Sequence, residues 1–417
     1  MAFYLTMGFF LKLNLYLIFK ISFFETIDLI NLTNSNIDTA LIVSSVGFIT
    51  ILSVSLFFHY FRNKCKTKDI LPQNLIHAAY LKYRCKILLS IGLAVILANV
   101  SNAYFGIYTK GGIRAHNFFI FNVYKYFISI GFAFLILHLL KLELYKKKKF
   151  PAMIGSLIFF ENMFSSASQF SRVMILHSTA ILFGFYKHSK IQNIYLTTKS
   201  LILLFLLILF LFFLTFQFSQ FNREKIFMEN TINKVNEVNE SKPKEEIHPA
   251  RIDAFYSLFL TRMVGIEGVL AVCSSDKLSW NFFVQSLKEK DIRGVSFYDK
   301  NIIKSPYTFN DFTKKQFITL PGFIAYFFYS GSYLILFYFI VIISLLCLFI
   351  EHFTYYITDR NFVIAAFVSQ LTVYRLINFG YMPLNTIQYF LVILFTLILY
   401  FYLFKFINLA LVKFKRD

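Results

Sequence analysis

Charge is scarce in this chain, and acid is scarcer than base. Only 15% of the 417 residues are charged, with 22 Asp and Glu against 42 Lys and Arg. Soluble domains carry about 25%, so a large water-soluble globule is excluded. Cysteine is equally thin. Of Cys65, Cys85, Cys273 and Cys347, only Cys273 falls in the segment expected outside the cytoplasm, so no disulfide can form within it. No zinc-type Cys/His spacing, phosphate-binding loop or Ser/His/Asp array occurs, and the basic loops have no nucleotide-binding signature. The expectation is a protein with no cofactor and no metal. Strictly alternating strands near ten residues long are also missing, as in Leu201–Phe216, which excludes a membrane barrel. The first apolar run contains Lys12 and Lys20 and ends in no small-residue cleavage site, so it reads as a retained helix. No internal repeat is evident.

Apolar residues are abundant instead: 57% of the chain, with 20% aromatic and 56 phenylalanines. They fall in runs near the length that crosses a bilayer as helix. The fold class expected is an all-α polytopic membrane protein with about ten helices. The spans are Phe3–Phe24, Thr39–Phe61, Ile87–Phe105, Phe118–Leu140, Pro151–Ala167, Val173–Tyr186, Leu201–Phe218, Ile318–Ile350, Phe362–Phe379 and Ile387–Val412. The eighth is too long for one crossing and holds Pro321, Gly322 and Gly331, so it should open with a short or re-entrant piece. Three segments follow: an N-terminal bundle of about seven helices (1–218), a large polar loop (219–317) and about three C-terminal helices (318–417).

The net charge of +20 does not point to nucleic acid, because the basic residues crowd into short loops between apolar runs. Arg62–Lys86, Lys141–Lys149, Lys187–Lys199 and the tail with Lys413, Lys415 and Arg416 all fall on one side if both termini are cytoplasmic. The acidic loop Glu25–Asp38 then lies outside, as does Ser219–Phe317. Long loops translocate regardless of charge. The first part of that loop, Asn222–Glu246, is polar and reads as an exposed arm. Apolar residues return from Pro249 to Trp280, which should pack as short helices.

Arginine is the main chemical signal on the outer side. Arg114, Arg172, Arg251, Arg262, Arg293 and Arg375 map to the loops or to outer helix ends. Arginine keeps its proton, and its planar fork matches phosphate oxygens. Snorkelling to the interface is the structural alternative. Arg262-Met-Val-Gly265-Ile-Glu267-Gly268 is the densest motif. Its glycines permit close backbone approach. Glu267 can act as a base or hold Arg262 by an ion pair; a turn between packed helices explains the same residues without chemistry. His248, His116 and His177 are the histidines that could serve as bases; a satisfied structural histidine is the alternative at each. Glu25 and Asp28, an acidic pair in the first outer loop, suit a different lipid-dependent glycosyltransferase.

At these residues the chain resembles the O-antigen polymerase (Wzy-type) family of oligosaccharide repeat-unit polymerases. Ser171-Arg172 is similar to an arginine carried at an outer helix start. The Arg262 to Gly268 stretch is similar to an Arg-x-x-Gly-x-Glu-Gly pattern. Leu320-Pro321-Gly322-Phe323 with Tyr329-Ser330-Gly331-Ser332, and Tyr374-Arg375 near Gly380, resemble the segments after the loop. The arm Asn222–Glu246 has no counterpart. The resemblance implies a GT-C-like arrangement and polymerisation of repeat units carried on undecaprenyl diphosphate at the outer face of a bacterial inner membrane. A sugar hydroxyl attacks an anomeric carbon and the lipid diphosphate leaves. Arg262 and Glu267 would be catalytic. Arg172, Arg375 and Arg251 would bind diphosphate, with Gly265, Gly268 and His248 in support. Trp280, Phe282, Phe283, Tyr298 and Tyr307 would stack on sugars. Partners implied are the lipid-linked oligosaccharide, the bilayer and a chain-length regulator. Rival readings are a glycan ligase, a glycosyltransferase using Glu25 and Asp28, or a flippase of the same substrate.

Overall fold

The computed structural model describes residues 5–19, 33–64, 74–108, 118–144, 152–169, 171, 174–191, 202, 206, 210, 213, 264–289, 296–303 and 320–414. Among these the chain is helical throughout, with no strand. Helix α1 runs from a wide π-type stretch, Thr6–Leu11, into Lys12–Phe19. It is followed by α2 (Asn34–Lys64), α3 (Asn74–Phe105) and α4, which runs Phe118–Tyr126, Phe127–Gly131 and Phe132–Leu144 with a π-type middle. Then come α5 (Ala152–Ser168), α6 (Met174–Ile191), α7 (Ile266–Cys273), α8 (Trp280–Leu287), α9 (Phe323–Phe327), α10 (Tyr333–Ile357), α11 (Phe362–Ile377) and α12 (Pro383–Phe414). The predicted seventh helix is described only at Ile202, Leu206, Phe210 and Phe213, all helical.

Five of these helices are long and apolar enough to cross a membrane. In four of the five, only 22% of the most apolar stretch is buried in the protein. Leu89 is 72% exposed, Leu334 69% and Phe395 65%. Apolar faces of that extent exceed the patches a water-soluble monomer tolerates, and every backbone group in a helix is satisfied internally. This is a membrane-embedded, all-α protein.

The predicted boundaries shift in places. Helix α3 begins at Asn74, but it kinks at Tyr83 (φ −109°, ψ 15°), which sets its first turns apart from the apolar run expected from Ile87. The expected break in the eighth span is present. Helix α9 ends in a short 3-10 turn, Phe328–Ser330, closed by left-handed Gly331 (φ 70°). After it α10 starts afresh at Tyr333. Two short helices occupy the later loop, as the return of apolar residues there predicts.

The chain divides into two compact units that cut across the three sequential segments. The first comprises Met1–Lys68, Lys244–Ile350 and Leu371–Leu394. At its centre α7 packs against α1, α2 and α9. Ile266, Val269, Leu270 and Val272 are all buried, so α7 is enclosed in protein apart from Glu267 in its first turn. Ser279 caps α8 by accepting the Phe282 N–H at 3.2 Å, and its own N–H donates to the Tyr329 carbonyl at 3.0 Å. The second unit comprises Asp69–Pro243, Glu351–Gln370 and Phe395–Asp417. In it α5 packs against α3, α4 and α6. Arg84 and Tyr80 of α3 both donate to the buried Glu143 carboxylate of α4.

Candidate functional site

The site is a crossing of backbones in the first unit. Gly265 precedes α7, and Gly268 lies in its first turn. A Cβ on Gly265 would sit 1.9 Å from the Gly8 carbonyl oxygen of α1. One on Gly268 would sit 2.0 Å from the Pro321 carbonyl oxygen. No side chain fits either gap, so the spacing of these glycines is a packing requirement. The close approach is to the protein's own backbone. Pro321 is covered on another side by Gly380, and the Gly322 N–H donates to the Phe379 carbonyl at 3.1 Å. Thus Val264–Gly268, the described part of the Arg262 motif, meets Leu320–Phe323 and the backbone at Phe379–Gly380 at one place, joined by α1.

Glu267 is held at this crossing by Lys12. The ammonium donates to both carboxylate oxygens, at 2.8 and 2.7 Å. Lys12 is 3% exposed, whereas the Glu267 side chain is 17% exposed. The lysine is therefore a buried counter-charge, and the carboxylate is the member of the pair that reaches the surface. Glu267 also lies in the first turn of α7, where the helix dipole favours an acid. With both oxygens engaged, its geometry suits orienting a cation more than accepting a proton. A cavity of about 10 Å³, no larger than one water, lies beside the crossing, lined by Leu5, Phe9, Val264, Gly265, Phe323 and Ile377. Its side chains are all apolar.

Arg375 stands near the end of α11, five residues before Gly380, in the same unit. Its guanidinium lies over the Tyr389 ring at 5.8 Å. Its Nε is buried with no hydrogen-bond partner. A buried donor left unpaired costs about 1–3 kcal/mol, which an anionic oxygen would recover. Of the predicted site, the structure therefore brings Glu267, Gly265, Gly268 and Arg375 into one unit. Arg172, Arg251, Arg262 and His248 lie outside the described residues, as do Arg114, His116, Arg293, Glu25, Asp28 and Tyr307. His177 is buried on α6 with its ring edge-on to Phe367 at 5.2 Å, a core position.

The aromatic expectation needs correction. Phe282, Phe283 and Tyr298 are 7%, 0% and 2% exposed, and so cannot stack on sugars. They form the core that seats α8 against α9: Phe283 meets Tyr326 at 5.8 Å, and Phe282 meets Tyr329 at 5.4 Å. Amphipathic spacing in α8 turned both phenylalanines inward. Trp280, 53% exposed, remains available.

Three charged groups escaped the sequence reading. Lys12 served only to argue against a signal peptide, although a lysine inside an apolar run asks for a partner. Glu289 pins the later loop to the turn before α12. Its Oε1 accepts the Phe297 N–H at 2.6 Å and its Oε2 accepts the Met382 N–H at 2.9 Å. Burial holds its carboxyl above the usual range, opposed by these two N–H donors and reinforced by nearby Asp299. No local pattern marks it. The third is Glu161, in a buried polar face of α5. Its Oε1 accepts from Ser165 at 2.9 Å, while Asn162 donates to Ser178 at 3.0 Å. Glu161 Oε2 and both amide atoms of Gln169 are buried without hydrogen-bond partners. An acid inside an apolar run is a legible signal. No protein-family model matches the chain, and neither a curated protein nor a solved structure matches it.

Proposed function

We propose that this protein is a metal-independent glycosyltransferase that polymerises undecaprenyl-diphosphate-linked oligosaccharide repeat units, for O-antigen or a related surface polysaccharide. The supporting observation is the crossing itself. The motif Val264–Gly268 is locked to Pro321 and Gly380, and it presents Glu267 backed by buried Lys12. In this reading about ten helices span a bacterial inner membrane with both termini cytoplasmic, and the site faces the periplasm. Arg172, Arg251, Arg262 and Arg375 supply fixed positive charge for the departing diphosphate. Such preorganised charge lowers the barrier because it need not reorient as the leaving group develops its charge. Glu267 orients Arg262, itself kept in place by Lys12.

The test is glycan length in cells carrying Arg375→Ala or Arg262→Ala at wild-type protein level. The expected result is loss of long polymer, with single repeat units accumulating on the outer face. Unchanged chain length would remove the arginines' role. Accumulation on the inner face of a deletion strain would identify a flippase instead, and loss of activity in Asp28→Asn with Arg262→Ala tolerated would move the site to the first outer loop.

A further inference from the structure

The buried polar face of α5, in the second unit, carries more acceptors than the protein itself serves. Glu161, Ser165 and Gln169 stand four residues apart along it, and residues at that spacing are neighbours on one side of a helix. The Gln169 N–H donates to the Ser165 carbonyl at 3.3 Å, so helical geometry holds to the end of the row. Ser165 Oγ donates to Glu161 Oε1 at 2.9 Å. Glu161 therefore reaches Ser165 from the turn before it, and Gln169 lies one turn after. All three are enclosed, at 2%, 0% and 0% exposure. Glu161 Oε2, Gln169 Oε1 and Gln169 Nε2 have no hydrogen-bond partner. The polar groups around the row are paired. Asn162 donates to Ser178 Oγ of α6 and to the Ile158 carbonyl, both at 3.0 Å. Ser168 donates to Asn99 Oδ1 of α3 at 2.5 Å, and Asn102 of α3 donates to the Ser168 carbonyl at 3.0 Å. These bonds hold α5 against both neighbours, so it cannot rotate to find other partners for the row.

An enclosed carboxylate requires a counter-charge. Among the described residues no ion pair includes Glu161. A proton would neutralise the carboxylate but leave the Gln169 carbonyl oxygen unserved. A metal cation between them satisfies both acceptors at once, and oxygen donors of this kind suit hard ions. The row holds one carboxylate among neutral oxygens, which balances a single positive charge. A divalent ion would leave net charge enclosed in the protein, at a large desolvation cost. We infer that this row binds an alkali metal cation, held by Glu161 Oε2 and Gln169 Oε1 with Ser165 Oγ between them. The ion completes the polar seam of α5 against α3 and α6. It takes no part in glycosyl transfer, and the inference stands apart from the glycan reading.

The test is thermal unfolding of the purified full-length protein in detergent, in sodium, potassium or N-methylglucamine chloride at equal ionic strength. N-methylglucamine is an organic cation too large for the row. The midpoint should rise by about 1–3 °C for each tenfold increase in sodium or potassium above the dissociation constant, and it should not respond to N-methylglucamine. Glu161→Gln keeps an acceptor for Ser165 and removes the charge, so its midpoint should be the same in all three salts. Gln169→Leu should shift the response to higher cation concentration. Equal midpoints for the wild-type protein in the three salts would overturn the proposal and leave Glu161 holding a proton. A full response surviving in Glu161→Gln or in Gln169→Leu would place the ion elsewhere and overturn it as well. A larger response to magnesium chloride at the same ionic strength would refute the single charge. The wild-type comparison needs no variant to fold.

Discussion

Removing the two members of the Lys12–Glu267 pair should have unequal effects. Lys12 is 3% exposed and Glu267 17%. Replacing Glu267 by Met leaves an ammonium enclosed in protein without this counter-charge. Breaking a buried pair in that way costs ~3–5 kcal/mol. Replacing Lys12 by Met leaves the charge on the more exposed partner, which can turn toward water, so the loss should fall nearer ~1–3 kcal/mol. Lys12→Met with Glu267→Met should recover much of the deficit, because two flexible apolar side chains of similar length refill the space. The measurement is unfolding of the purified protein by denaturant in a fixed detergent, with the four proteins forming a double-mutant cycle. A coupling of ~2 kcal/mol or more is expected. If Lys12→Met proves as damaging as Glu267→Met, or if the double variant is no better than the worse single one, then the ion pair does not organise this crossing. Glycan length measured alongside separates the roles, since the proposed function requires that the double variant fold yet lose long polymer.

Further consequences are simpler to check. Gly268→Ala places a methyl 2.0 Å from the Pro321 carbonyl oxygen, so α7 must move away from α9; a loss of ~1–3 kcal/mol or more, read as reduced membrane protein level, is expected. Glu289 holds its proton more tightly folded than unfolded, so between its ordinary carboxylate range and its raised folded value stability should fall as pH rises. Glu289→Gln should flatten that slope while weakening one of the two backbone contacts, and an unchanged pH profile would count against it. Burial pushes the Cys273 thiol up to about 12, leaving almost no thiolate at pH 8. A maleimide should therefore modify Cys273 only after denaturation, whereas Cys85 is exposed and labels in the native protein; rapid native labelling of a Cys85→Ser variant mapped to Cys273 would refute this.

The apolar runs made the helices readable, because membrane spans need length and hydropathy and little else. The break at Gly331 was readable for a related reason, since a span that overruns the bilayer and contains Pro321, Gly322 and Gly331 has to interrupt itself. The partner of Glu267 was not readable. Sequence proximity favoured Arg262, five residues away, while Lys12 is separated by 255 positions and meets Glu267 only through the packing of α1 on α7. The aromatic residues misled because composition cannot tell which face of α8 turns inward. Phe282 and Phe283 fill the core, and only Trp280 stays at the surface. Likewise the glycines of the motif announced a close approach without saying to what; the answer, Gly8 and Pro321, is written in distant parts of the chain.

The separation of 255 residues between Lys12 and Glu267 also has a meaning in time. At ~5–20 residues synthesised per second, the glutamate emerges on the order of 10–50 s after the lysine. Throughout that interval the first helix must do without the counter-charge that will bury its lysine. A nascent α1 therefore waits at the membrane boundary, where the long stem lets Lys12 reach water, and it settles into place only once the second half of the protein has been made. A late step of assembly thus waits on a partner made 255 residues after the lysine it neutralises.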